Sequence, residues 1–221
     1  MKRPILPVII FLALSWYLFF FRLDAMGLTD PDETFYAQTA KEMLAKNEWL
    51  TPQILGKPQF EKPILFYWLV ELSFKAFGVN ETAARLPSAV FGTIGIIATY
   101  LLGSLLLNKR TGLLAAAMLA VSVEYVILSR ACVTDMMLFS LMLLGVLFFF
   151  YGHLKGKRYA YILSAAFFAL AVLTKGPIAV MLPGLAFLLY FGECFYRRVL
   201  WVPEYYQIYT VRTQDRLAGI L

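Results

Sequence analysis

Ile64-Leu65-Phe66-Tyr67-Trp68-Leu69-Val70-Glu71-Leu72-Ser73-Phe74-Lys75-Ala76-Phe77-Gly78 is the stretch on which the fold turns. It is apolar and aromatic, but it is short and carries both Glu71 and Lys75. Counted as a membrane span, it reverses the side of every loop that follows. Counted as a helix lying in the membrane interface, it leaves them in place. Around it lie six longer apolar runs: Pro4 to Phe21, Leu86 to Leu107, Thr111 to Ser129, Met136 to Gly152, Tyr159 to Thr174 and Gly176 to Gly192. Each is long enough, or nearly so, to cross ~30 Å of hydrocarbon as a helix. In lipid only helices and closed barrels satisfy every backbone group internally. The first run follows Lys2-Arg3 and is too long for the apolar part of a cleaved signal peptide. Ala25-Met26-Gly27 is also a poor cleavage site, so the run reads as a retained anchor.

Loop charge chooses between the two readings. With Ile64–Gly78 in the interface, Lys2-Arg3, Lys109-Arg110, Lys155-Gly156-Lys157-Arg158 and Arg197-Arg198 all fall on the cytoplasmic side. With it spanning, the last three clusters move outside, against the positive-inside rule. The expected fold is therefore an all-α integral membrane protein of about six transmembrane helices, with amphipathic interfacial helices in a first outer loop from Arg22 to Arg85. The N-terminus is cytoplasmic.

Composition agrees. Of 221 residues, 61% are hydrophobic and only 15% charged, against roughly 25% charged in soluble domains, and the mean hydropathy is +0.70. These values exclude a soluble domain, a disordered chain and a nucleic-acid-binding module. The net charge of +6 reads as orientation charge on the inner loops rather than as a surface for nucleic acid. Nine of the 14 acidic residues lie in the long outer loop: Asp24, Asp30, Asp32, Glu33, Glu42, Glu48, Glu61, Glu71 and Glu81.

That loop begins Thr29-Asp30-Pro31-Asp32-Glu33-Thr34-Phe35-Tyr36. Asp30 suits a helix N-cap, Pro31 the first helical position, and Glu33 the return arm of a capping box. Phe35, Tyr36, Ala40, Met43 and Leu44 then form an apolar face that predicts a helix on the membrane surface. Capping accounts for Asp30 and Glu33, whereas structural and functional roles both stay open for Asp32. Glu61-Lys62-Pro63 reads alone as a solvated corner, and Asp135 and Lys175 as charges at the outer ends of spans; their common side of the membrane is what joins them. Glu124 interrupts the third run; an intramembrane carboxylate is a functional candidate by default, and a pairing with Arg130 or another outer-face cation is the slightly preferred reading. His153 is the only histidine and falls at an inner helix end, so histidine-based metal clusters and Ser-His-Asp arrangements are excluded. Cys132 and Cys194 fall on opposite sides and cannot pair. Neither phosphate-binding nor dinucleotide glycine fingerprints occur.

Asp30-Pro31-Asp32-Glu33 with Tyr36, Glu61-Lys62-Pro63 with Tyr67-Trp68, Arg85-Leu86-Pro87-Ser88 and Leu173-Thr174-Lys175-Gly176 resemble, in this order and spacing, the C-type membrane glycosyltransferases. That family includes the protein O-mannosyltransferases and the bacterial aminoarabinose transferases of lipid A, and the likeness is greatest to the bacterial branch. The resemblance implies a polyprenyl-phosphate sugar donor, a lipid or protein acceptor, and transfer on the outer side of the cytoplasmic (inner) membrane. It implies catalytic roles for Asp32, Asp135 and Lys62, and substrate contacts for Glu33, Tyr36, Glu61, Arg85 and Lys175. Some relatives bind a divalent metal through the position of Glu61 and a later histidine; that histidine has no counterpart here, and no other cofactor is implied. Family members are usually more than twice this length. Residues 1–200 are accordingly expected to be the N-terminal transmembrane module of such an enzyme, with 201–221 an atypical, truncated tail, and the chain alone is expected to be inactive or to need a partner carrying the missing half. A non-catalytic membrane module and, less favoured, a transporter are the other classes open to such a chain. Clean span centres argue against the transporter.

Overall fold

A computed structural model describes residues 5–28 and 30–200, with side chains for residues 9–11, 13–28 and 30–193. Lys2-Arg3, the tail 201–221 and the side chains of Cys194, Arg197 and Arg198 lie outside the described residues. Among the described residues there are nine α-helices: α1 (Ile5–Ser15), α2 (Pro31–Lys46), α3 (Leu65–Phe77), α4 (Glu81–Leu106), α5 (Lys109–Ala120), α6 (Val123–Ser129), α7 (Asp135–Lys155), α8 (Arg158–Lys175) and α9 (Ile178–Leu200). A π-helical turn, Trp16–Phe20, follows α1, and a short antiparallel hairpin pairs β1 (Gln53–Ile54) with β2 (Lys57–Pro58). The chain falls into two compact units, Met1–Val180 and Met181–Leu221. The second holds the greater part of α9.

The deciding stretch folds as α3, 13 residues long. At 1.5 Å per residue that is ~20 Å, too short for ~30 Å of hydrocarbon. Gly78 ends it with φ +81°, a conformation a side chain rarely adopts. Among the described residues, three helices are long and apolar enough to span a membrane, α4, α7 and α8. The bent pair α5 and α6 makes a fourth if taken as one span, and Ile9–Phe20 and Ile178–Glu193 are shorter apolar segments. Thr111–Ser129, expected as one continuous helix, breaks at Val121-Ser122 with a bend of 67°. Two anchors set this bend. The Tyr125 hydroxyl donates to the Gly92 carbonyl (2.7 Å), and Arg130 donates to the carbonyls of Leu18, Phe21 and Arg22 (3.0, 2.9 and 3.1 Å). The expected Glu124–Arg130 pair is absent among the described residues, because Arg130 is engaged by the carbonyls that follow α1.

Small residues let the apolar helices approach closely, the usual solution where lipid offers no hydrophobic drive between helices. A Cβ at Gly103 would meet the Gly112 Cα at 2.8 Å, and so α4 and α5 cross there almost backbone to backbone. Buried hydroxyls add ties: Ser140 to the Phe91 carbonyl (2.5 Å) and Ser164 to the Gly145 carbonyl (2.7 Å). Pro87, inside α4, cannot donate to the Ala83 carbonyl one turn back. Ser73 of α3 does so instead at 2.6 Å, which fastens the interfacial helix to the span.

Two apolar clusters result. One joins α1, α4, α5, α6 and α7 around Phe19, Ile96, Tyr100 and Met136. The other joins α2 and α3 to the ends of α4, α7 and α8 around Tyr36, Met43, Phe66, Tyr67 and Val70. The apolar face of α2 is thus packed against protein rather than laid bare on lipid. Pairing with α3 buries its apolar side chains more completely than a surface position would.

Candidate active site

Asp30 caps α2 as expected, its carboxylate accepting the Asp32 N–H at 2.8 Å. Glu33 does not complete the capping box. It turns inward, pairs with Arg85 at 2.9 Å through both oxygens, and accepts the Cys132 N–H at 2.7 Å. Arg85 places its remaining donors on the carbonyls of Leu23, Met26 and Gly27 at 2.7, 2.7 and 3.1 Å. All five guanidinium N–H groups are engaged within the chain, and both residues are buried. Within the chain, Glu33 and Arg85 fasten the α2 start, the α4 start and the loop before α7 into one block.

Asp32 stands exposed in the first turn of α2, and Asp135 half-buried in the first turn of α7, where the helix dipole favours a carboxylate. Tyr36, one turn on from Asp32, is 2% exposed, with its hydroxyl 3.5 Å from the Thr134 hydroxyl. Burial raises its pKa, the Thr134 contact opposes this, and the charges of Asp32 and Asp135 add to the rise. The Tyr36 ring meets Phe66 edge-on (centroids 5.2 Å) and Tyr67 tilted (5.6 Å), which joins α2 to the start of α3.

Lys175, in the last turn of α8, pairs with Asp135 at 2.5 Å, and both groups remain partly open to solvent. Lys175 also lines an open cleft of about 450 Å³ with Leu50, Pro52, Phe60, Glu61, Lys62, Pro63, Ile64, Gly176 and Pro177. The structure thus sets Tyr36 against Thr134, the neighbour of Asp135, and gathers Glu61 and Lys62 with Lys175 in the cleft, the Asp135–Lys175 pair linking the two groups. The cleft sets two lysines and one glutamate among apolar residues, a combination suited to a polar, anionic headgroup on a hydrocarbon chain.

The position of Glu61 and Lys62 depends on a part of the loop that pattern reading passed over. The hairpin turn Leu55-Gly56 has positive φ at both residues (51° and 73°). Glu42 of α2 accepts its two N–H groups at 2.9 and 3.0 Å, and these bonds hold the Glu42 carboxyl below its ordinary pKa. Gln59, just after the hairpin, donates to the Tyr67 hydroxyl at 2.7 Å and accepts the Glu61 N–H at 3.2 Å. The Asx/Gly turn signal that marks most such hairpins is half missing here, since leucine occupies the first turn position.

The donor set does not fit a metal at Glu61. Glu61 is exposed, and among the described residues no group of three or more His, Cys, Asp or Glu side chains comes together. His153 lies in the last turn of α7, at the opposite end from Asp135.

Helical spans, an interfacial helix pair, and carboxylates and lysines gathered at one set of helix ends define the class: a helical membrane protein with an acid–lysine site. Comparison places it more closely. The profile of the dolichyl-phosphate-mannose-protein mannosyltransferase family matches residues 61–210, and the chain belongs to that family. It is 34% identical over 167 residues to an uncharacterized protein of Aquifex aeolicus, covering 75% of this chain and 34% of that one. It is 32% identical over 194 residues to an undecaprenyl phosphate-alpha-4-amino-4-deoxy-L-arabinose arabinosyl transferase of Pseudomonas fluorescens, covering 86% and 35%. Among solved structures, ArnT from Cupriavidus metallidurans bound to undecaprenyl phosphate aligns with a TM-score of 0.74 and 28% identity, over 83% of this chain and 35% of that chain. The chain spans about a third of the length of these relatives.

Proposed function

We propose that the chain forms the donor-binding and catalytic part of a glycosyltransferase that moves a sugar from a polyprenyl-phosphate carrier to a lipid or protein acceptor. Residues 1–200 act as one transmembrane module of six spans in the inner membrane, with the N-terminus cytoplasmic and the cleft facing the periplasm. The observation that carries this reading is the placing of Lys62 and Lys175 in one apolar-walled cleft beside Asp135. The likeness to a transferase structure holding undecaprenyl phosphate supports it.

In the reaction, the bond from the anomeric carbon to the carrier's phosphate oxygen breaks, and its electron pair leaves with the phosphate. Lys62 and Lys175 are placed to stabilise that charge. The acceptor oxygen forms the new bond to the anomeric carbon from the opposite face. Where the acceptor is a hydroxyl, Asp32 or Asp135 takes its proton; where it is a phosphate, no base is needed and the carboxylates orient the reactants. Holding two amphiphiles at one membrane depth supplies proximity. Glu61, on the cleft wall, contacts the sugar, while the buried Tyr36 supports the Thr134–Asp135 end of the site from beneath.

Binding of undecaprenyl phosphate and of uncharged undecaprenol to the protein in nanodiscs tests the cleft. Lys62→Ala and Lys175→Ala are each expected to weaken phosphate binding about tenfold or more, as loss of a charge-assisted contact does, and to leave undecaprenol binding unchanged. Asp32→Asn is expected to abolish sugar transfer in membranes while insertion and carrier binding persist. Transfer unaffected by Asp32→Asn would favour the non-catalytic module, and a product retaining the donor's anomeric configuration would exclude direct displacement.

A further inference from the structure

Between the hairpin and α3, residues 60–63 have no backbone–backbone hydrogen bond among the described residues. Phe60 is 76% exposed and supplies no packing anchor, and the Glu61 side chain is exposed as well. Yet this segment carries Lys62 into the cleft. What holds it is the Gln59 side chain. Its orientation follows from chemistry: the Glu61 N–H can only donate, so the amide oxygen faces it, at 3.2 Å. The amide NH2 then meets the Tyr67 oxygen at 2.7 Å. Tyr67 is fully buried and packed against Tyr36, and is therefore a fixed reference point. The Gln59 backbone is held in turn, its N–H donating to the Pro52 carbonyl at 2.9 Å.

We propose that Gln59 is a positioning residue for Lys62: its amide clamps the Glu61 backbone to Tyr67 and so sets where the lysine ammonium meets the phosphate of a lipid carrier. The proposal rests on the reading of the cleft given above. Gln59 touches neither sugar nor phosphate, and it acts through the loop. Removing either end of the Gln59–Tyr67 bond should loosen the same segment, so the two removals should not add.

The test uses Gln59→Leu, Tyr67→Phe and the double variant, each in nanodiscs. The preference for undecaprenyl phosphate over undecaprenol is measured first. Each single variant is expected to lower it about tenfold, the worth of one well-placed hydrogen bond, and the double variant no further. The labelling rate of Lys62 by an amine-reactive reagent, read by mass spectrometry with no ligand present, is measured second. It is expected to rise about threefold in both variants, with Lys109 unchanged. An unchanged preference overturns the proposal, as does an equal loss of both lipids with Lys62 labelling unaltered, which is the mark of a role in folding only. If the wild-type protein prefers neither lipid, the cleft reading itself fails, and Lys62 labelling alone then decides whether Gln59 positions the loop.

Discussion

Arg85 and Glu33 show how one residue pair can organise a site it does not enter. Both belong to motifs that suggested substrate contact, and the sequence offers no sign that they meet across 52 positions. In the structure the guanidinium gathers three carbonyls after α1 as well as the carboxylate, and so fixes the α2 start from which Asp32 projects. Arg85→Leu would leave a buried, unpaired carboxylate and several unsatisfied carbonyls. Denaturant unfolding in detergent should show a loss of about 3–5 kcal/mol, with part of it recovered when Glu33→Leu is added. A loss no larger than that of a surface arginine would remove this account. Glu71 is the opposite case. It is fully buried in α3, and its carboxyl finds no hydrogen-bond partner among the described residues. Burial raises its pKa and so favours the neutral acid, while Lys75 one turn on opposes the rise.

Among the elements, the β1–β2 hairpin is where pattern reading reached least. Its strands are two residues long, and its turn lacks the usual asparagine or aspartate before glycine. A carboxylate 13 residues upstream supplies the missing order: Glu42 accepts both turn N–H groups and a bond from Gln38 at 2.8 Å. Because these bonds lower the folded-state pKa of Glu42 below its ordinary 4.5, the stabilisation is fully present above that value. It is lost as pH falls through the lower, folded-state value. Hydrogen exchange at Leu55 and Gly56 should therefore accelerate at acid pH beyond the intrinsic trend. In Glu42→Gln this extra dependence should vanish; its persistence would show that another group holds the turn. By contrast the start of α2 was legible, since Asp30-Pro31 marks it in any context. The face it buries was legible too, though not that α3 rather than lipid would cover it.

For the whole molecule, the question is which side each loop faces. The interfacial reading of α3 predicts that a cysteine replacing Lys57 is labelled by an impermeant thiol reagent in intact cells. Cysteines replacing Lys109 or Lys155 should be labelled only after the membrane is opened. Labelling of all three from outside would mean that α3 spans after all, which its 13 residues oppose. The same topology places Asp32, Glu61, Lys62, Asp135 and Lys175 on one side, and the fold then assembles them in two linked groups. That expected sidedness rests on loop charge, a property of the chain itself, and the labelling pattern tests it.

The sequence by itself determined the membrane class, the apolar runs, the cap of α2 and the short list of acids and lysines. Each of these is local: it depends on the character of a run, on a few adjacent residues, or on charge summed over a loop. Tertiary structure alone decided which members of that list meet. It turned Glu33 and Arg85 inward, bent the third run at Val121-Ser122, paired Asp135 with Lys175 across 40 residues, and gave Gln59 its two partners. Those outcomes depend on which polar groups find one another once the helices have packed. A buried polar group takes the nearest competent partner in space, and no spacing along the chain records which one that is.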